Sequence, residues 1–260
     1  MKVKDIMTRQ VFSVDKDESL GFVLDQMRAK GLTKVPVTEG GNIAGIVTDG
    51  DIANELGAIR SRGVESMNLH VTAAMRRDVP TVTPDTDIEK VLDILLMNGH
   101  GIVPVIVDAK VVGVVTQADL LPLVKSDALV KDFMVKELYA VKPQDRVIHA
   151  RRVMLDHGVE RLPVLDGGRL VGIVGEMDVA LGYAKFKEAF KTQHQDHRIK
   201  QFFVQDIMHR DVVTGLPEMT AREAAERMQA EHVGGLPVVN GADRIAGIVT
   251  QTDLLRFVSF

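Results

Sequence analysis

Three times along the chain a threonine stands three residues ahead of an aspartate, at Thr48/Asp51, Thr116/Asp119 and Thr250/Asp253, each time just after an apolar run. A fourth place, Gly175-Glu176-Met177-Asp178, keeps the acid and loses the hydroxyl. Thr with an acid three residues on is the pattern of a capping box, in which the hydroxyl accepts from the first helical turn and the acid reaches back. Capping alone explains the pattern poorly. The acid is Asp every time, never the Glu that capping boxes favour, and it persists where Thr is lost. A second task for the carboxylates is therefore expected. Two cations invite the same question: Lys34 and Arg161 stand two residues before a recurring proline, where the corresponding positions hold Ile102 and Gly235. A guanidinium can grip phosphate bidentately. A cation ahead of a strand can equally be a solvated face.

Other chemistries are excluded or unsupported. There is no cysteine, which removes disulfides, Cys-ligated zinc and thiol catalysis. No nucleophile–base–orienter set or phosphate-binding Gly-rich loop appears, so no catalytic residue is expected. His194 and His197 have a His-x-x-His spacing, but Asp196 lies on a different helical face and no third ligand is evident. No metal site is expected. The stretch 181–203, with Lys185, Lys187, Lys191, Arg198 and Lys200, reads as a solvated amphipathic helix.

The elements that must position these residues come from a repeat. The phrases VKDIM, VTAAM, VKDFM and VQDIM end at Met7, Met75, Met134 and Met208. Thirteen residues after each Met an amphipathic stripe opens, as at Leu20, Val23, Leu24 and Met27, or Ile88, Val91, Leu92 and Leu95. The third stripe is weaker, interrupted by Arg151. A glycine helix cap follows in three copies, at Gly31, Gly99 and Gly158, with His232 in the fourth. Twenty-nine residues after each Met a proline precedes valine, at Pro36, Pro104, Pro163 and Pro237. Such a proline suits a strand's first residue or an edge. A turn, a second strand containing a central glycine, and a short helix carrying the Asp complete each copy. The reading is α/β: four β-α-β-β-α repeats, at 1–57, 68–126, 127–183 and 201–260. Copies two and four share Thr-Gln-x-Asp-Leu-Leu, and copies one and three share an acid after the strand, Asp49 and Glu176. A duplicated two-copy module follows, spanning 1–126 and 127–260.

With 260 residues, 45% hydrophobic, the chain can bury a sizeable core, and a net charge of −4 with dispersed Lys and Arg argues against nucleic-acid binding. The charged N-terminal stretch does not read as a signal peptide, and no apolar run is long enough to span a membrane. A cytoplasmic location is expected.

The VxDIM opening, the apolar-Pro-Val strand, the Gly-centred second strand and the terminal Asp helix together resemble the cystathionine-β-synthase (CBS) domain. Four copies in register cover nearly the whole chain, and the layout resembles that of the γ subunit of AMP-activated protein kinase, a flat, pseudo-symmetric disc of two modules. The resemblance implies clefts between paired repeats that hold adenosine-containing ligands. It implies Asp51, Asp119, Asp178 and Asp253 on ribose, Thr48, Thr116 and Thr250 near sugar or phosphate, and Lys34 and Arg161 as phosphate candidates. A carboxylate suits a diol because it accepts from both hydroxyls. If Lys34 and Arg161 read phosphate, AMP, ADP or ATP is favoured over S-adenosylmethionine. The expected protein is a non-catalytic sensor, with an adenine nucleotide as regulatory ligand and no required cofactor. It signals occupancy to a partner protein and is a disc-shaped monomer or a homodimer. A ligand-independent scaffold, an S-adenosylmethionine sensor and a hidden phosphohydrolase are the alternatives.

Overall fold

The computed structural model describes residues 1–58, 65, 68–99, 101–189, 201–241 and 244–260. Copy one contributes β1 (Val14–Asp15), α1 (Leu20–Lys30), β2 (Lys34–Glu39), β3 (Asn42–Thr48) and α2 (Asp49–Leu56). Copy two gives α3 (Ile88–Asn98), β4 (Ile102–Val107), β5 (Lys110–Thr116) and α4 (Gln117–Leu120). Copy three opens with α5 (Val130–Phe133), then α6 (Val147–His157), β6 (Arg161–Asp166), β7 (Arg169–Gly175) and α7 (Glu176–Ala189). Copy four holds α8 (Ala221–Ala230), β8 (Gly235–Val239), β9 (Ile245–Thr250) and α9 (Gln251–Leu255). The expected leading strand is reduced to the two residues of β1, paired parallel to β2. In the other copies it is one parallel bridge: Val82 to Val105, Val141 to Val164, and Gly215 to Val238.

The helical stripes fold as their period dictates. Leu20, Val23, Leu24 and Met27 are buried, as are Ala221, Ala224, Ala225 and Met228. Burying a side chain of the Val, Leu or Met kind contributes on the order of 2 kcal/mol. Gly31, Gly99 and Gly158 close α1, α3 and α6 in the left-handed conformation, and His232 takes the same sign of φ in copy four. Arg151 breaks the α6 stripe for a reason outside its own copy. Its guanidinium donates to the carbonyls of Asn54 (2.9 Å) and Gly57 (3.4 Å), satisfying the C-terminal end of α2.

The recurring proline is the third residue of β2, β4 and β6, not the first. It is tolerated because it stands opposite Ile46, Val114, Ile173 or Ile248, whose own amides hydrogen-bond to a different segment. No ladder bond is lost, so the usual exclusion of proline does not operate. All four hairpins also carry a bulge at one place, leaving Ala44, Val112, Val171 and Ala246 without a register partner.

The segment that satisfies those amides is the opening phrase of the neighbouring copy. Thr8 bridges Val114, Arg76 bridges Ile46, Val135 bridges Ile248 and His209 bridges Ile173, all antiparallel. The openings are therefore exchanged within each pair. Val3 belongs to the core of copy two, Val71 and Met75 to that of copy one, Val130 to copy four and Val204 to copy three. The central glycine of each second strand makes the docking possible. A Cβ at Gly113, Gly172 or Gly247 would run into the sulfur of Met7, Met208 or Met134, and one at Gly45 would overlap the Arg76 carbonyl.

Copies one and two join through Asn42–Lys110 in a five-stranded sheet of order β1-β2-β3-β5-β4, and copies three and four through Arg169–Arg244. Between the pairs, α2 packs on α7 and α4 packs on α9. One core cluster runs through copies one and three, and Val124 of copy two bridges Val258 of copy four. The four copies thus close into a ring. The helix α7 extends to Ala189 and buries Tyr183, Ala184, Phe186 and Lys187. The solvated helix expected from 181 is thus corrected over this part: the chain uses it to cover copy one. Lys191, His194, Asp196, His197, Arg198 and Lys200 lie outside the described residues.

Candidate functional site

Each Asp of the repeated pattern uses one oxygen to build its helix. Asp51 Oδ2 accepts from the backbone N–H (3.1 Å) and the hydroxyl (2.9 Å) of Thr48. Asp119 Oδ2 accepts both from Thr116 at 2.7 Å, and Asp253 Oδ2 both from Thr250 at 2.9 and 2.8 Å. Asp178 does the same work without a threonine, accepting from Gly175 N–H at 2.8 Å. The lone acid of copy three is therefore a capping acid too, and its persistence needs no ligand to explain it.

The other oxygen separates the copies. Across each cleft lies the residue that follows the opening Met of the paired copy, delivered by the exchanged segment. Arg76 Nε donates to Asp51 Oδ1 at 2.8 Å. Thr8 Oγ1 donates to Asp119 Oδ1 at 3.3 Å. His209 Nε2 lies 2.7 Å from Asp178 Oδ1. Burial raises the Asp178 pKa, opposed by the Gly175 N–H and by His209. In copy four the facing residue is Val135, which offers no polar atom. Among the described residues Asp253 Oδ1 has only Arg256, the residue that follows its own helix, at 3.7 Å. Two carboxylates are thus closed by strong partners, one is held weakly, and Asp253 is open toward its cleft, with only the more distant Arg256 on its Oδ1. These facing residues were missed from sequence. The only signal was that the position after the repeated Met varies: Thr8, Arg76, Val135, His209.

The open carboxylate faces a cleft of about 370 Å³, within the range of small-molecule sites. Its walls include Thr250 and Asp253 of copy four, the exposed apolar side chains of Val135 and Tyr139, and Arg161 of copy three. Tyr139 stacks on His157 with ring centroids 3.7 Å apart. Arg161 also borders a smaller cavity of about 240 Å³ at Asp178 and His209. A wider space of about 710 Å³ opens between Lys185 and Gln201, either side of the chain outside the described residues.

The two candidate cations each lie against the pre-strand glycine of the paired copy. A Cβ at Gly101 would meet Lys34 Nζ at 2.9 Å, and one at Gly234 or Gly235 would meet the Arg161 guanidinium at 2.7 or 2.8 Å. Both are already held by Glu160, which accepts from Lys34 at 2.9 Å and from Arg161 at 3.0 Å. Burial opposes ionisation of Glu160, but Lys34 and Arg161 outweigh it and hold its pKa below the ordinary range. Behind this trio the acids Asp49 and Glu176 meet where α2 packs on α7, so closely that a Cβ at Gly50 would overlap the Glu176 carboxylate. Burial, then Asp49 and Glu160, push the Glu176 pKa up to about 8. Burial pushes Asp49 up to about 6 against the pull of Lys34. At the equivalent place between copies two and four, Gln117 Nε2 donates to Thr252 at 2.9 Å. Among the described residues no cluster of three His, Asp or Glu is placed to hold a metal.

The CBS-domain family profile matches residues 3–58, 71–126, 130–184 and 204–259. The chain is 26% identical to the uncharacterised protein MJ1225 of Methanocaldococcus jannaschii over 98% of both chains. The crystal structure of that protein, described as a proposed archaeal homologue of γ-AMPK, superposes with a TM-score of 0.84 at 25% identity over 99% of both chains. A conserved protein of uncharacterised function from Pyrococcus horikoshii shares the fold, with a TM-score of 0.61 at 24% identity, over 98% of this chain and 99% of that one. About half of the chain (48%) is also 36% identical to 23% of an inosine-5′-monophosphate dehydrogenase from Korarchaeum cryptofilum. A match confined to so small a part of an enzyme carries none of its activity here.

Proposed function

The chain belongs to the CBS-domain family, and on that premise we propose that it is a non-catalytic regulatory protein whose main ligand site is the copy-four cleft, taking an adenosine-containing molecule that carries phosphate. In this reading Asp253 holds the ribose diol through its open oxygen. Thr250 flanks the sugar, Val135 and Tyr139 cover the base, and Arg161 reads the phosphate. The observation that carries the reading is the contrast among the four carboxylates: among the described residues only Asp253 combines an Oδ1 with no partner from across the cleft, an apolar wall and a cation supplied by the paired copy. The copy-two cleft, where Thr8 alone among the described residues meets Asp119 Oδ1 and Lys34 lies at the paired glycine, is the second site. Copies one and three are structural, because Arg76 and His209 occupy the place of a ligand. Occupancy is passed to a partner protein through the packing of modules 1–126 and 127–260, which requires the ligand to favour one packing over another.

Calorimetric titration with adenosine, AMP, ADP, ATP and S-adenosylmethionine tests this. AMP, ADP or ATP binding that weakens about tenfold in Asp253→Asn, as loss of a charge-assisted bond predicts, is the expected result. Equal binding by wild type and variant sinks the site assignment. Binding of S-adenosylmethionine alone would replace the phosphate-bearing ligand. Absence of binding in nucleotide-free protein favours a scaffold.

A further inference from the structure

Glu160 is oddly placed for a protein that must receive a phosphate. Its carboxylate already bonds the guanidinium of Arg161, the one cation lining the copy-four cleft among the described residues, and Glu160 lines that cleft itself. Its other oxygen takes Lys34 of copy one, from the opposite module, at 2.9 Å with the Lys34 side chain only 13% exposed. A carboxylate and a phosphate oxygen make the same demand on a guanidinium, an anionic acceptor at hydrogen-bond distance. The two therefore compete for Arg161, one tethered and one free. The backbone of copy four makes room for the guanidinium, since a Cβ at Gly234 or Gly235 would stand 2.7 or 2.8 Å from it.

We infer that Glu160 is a built-in competitor for the ligand's phosphate group: it occupies Arg161 in the empty protein, and a phosphate entering the copy-four cleft takes its place. This rests on the reading of that cleft as the ligand site. Glu160 then keeps Lys34 as its remaining partner, so the tie between the two modules changes only when the ligand carries phosphate. A nucleoside without phosphate leaves the Glu160–Arg161 pair intact. Lys34 acts through Glu160 as a positioning residue, drawing the carboxylate away from Arg161.

The test is the ratio of AMP to adenosine affinity, measured by calorimetry on the full chain. Glu160→Gln removes the competing charge and is expected to tighten AMP about tenfold while leaving adenosine unchanged. Lys34→Met, in an Asp119→Asn chain whose copy-two cleft is silenced, is expected to weaken AMP severalfold with Glu160 present and to have no effect beside Glu160→Gln, as a double-mutant cycle requires of two residues acting in series. A ratio unchanged by Glu160→Gln in a protein that binds AMP overturns the inference and leaves the site standing. Weakening by Lys34→Met in both backgrounds overturns the role of Lys34, which would then meet phosphate itself. A wild-type chain that binds neither AMP nor adenosine overturns the site and the inference together.

Discussion

The four aspartates do one shared task and one that differs. Oδ2 caps a helix in every copy, and Oδ1 meets whatever the exchanged opening segment presents. The facing residue is therefore a gate whose chemistry can be rewritten. Val135→Arg should place a guanidinium on Asp253 as Arg76 does on Asp51, abolishing ligand binding in the copy-four cleft while the melting temperature stays within a few degrees of wild type. The reverse change, Arg76→Val, should free Asp51 Oδ1 and add a binding event in titration; the same stoichiometry before and after would refute the gate. Where α2 packs on α7 the pH dependence has a definite sign. Glu176 goes from an ordinary 4.5 to about 8 on folding, and Asp49 from 3.8 to about 6. In that interval the folded chain holds more protons than the unfolded one, so stability falls as pH rises from about 4 to 8. The partial exposure of Glu176 and its coupling to Asp49 hold the loss to about 2–3 kcal/mol. Glu176→Gln should flatten the slope between pH 6 and 8 and raise the melting temperature at pH 8 by about 5 °C. A slope identical to wild type would show that Glu176 does not titrate there.

At the scale of elements, the hairpins explain most of the repeated sequence. In three of the four hairpins the opening Met lies on the second-strand glycine across the pair, and at Gly45 the backbone of the same opening segment takes its place, a contact invisible while each copy is read alone. Gly113→Ala should destabilise by about 1–3 kcal/mol, the range for overpacking a tight site, and Met7→Ala should recover part of that loss; a neutral Gly113→Ala, read by denaturant melting, would disprove the contact. The turn of copy two departs from the Gly-Gly turns of copies one and three. Asp108 and Ala109 both have positive φ, at 48° and 64°, where a residue with a Cβ costs about 1 kcal/mol. Ala109→Gly should therefore stabilise by up to about 1 kcal/mol, with the Ile43 N–H to Ala109 carbonyl bond of 2.8 Å that joins the two hairpins left intact. The helix stripes, the glycine caps and the hairpin turns were legible in sequence because each is set within a dozen residues. The purpose of Arg151 was not, because the carbonyls it satisfies belong to another copy.

At the scale of the molecule, the sequence likeness of copies one and three, and of copies two and four, has a counterpart in space: α2 meets α7, and α4 meets α9. Like elements packing on like elements is the geometry of a pseudo-twofold interface. It puts two acids together at one side of the ring and glutamine with threonine at the other. Because core clusters cross from one module into the other, the chain should melt in one transition. Saturating nucleotide should raise the midpoint by mass action. Two separate transitions in calorimetry would show modules that unfold independently.

Sequence alone determined the number of copies, their α/β content, the stripes that form the core and the list of acids and cations worth suspicion, since all of these are written in local spacing. It also left the acid of each copy with two readings, cap or ligand, because both ask for Asp at the N-terminus of a helix. Only the tertiary structure distinguishes the four copies from one another. Each Asp has two oxygens, the local helix engages one, and a segment from another copy engages or spares the other. Which cleft stays open is a property of residues from another copy, 25 to 111 positions away for Arg76, His209 and Thr8, brought there by the exchange of the opening segments.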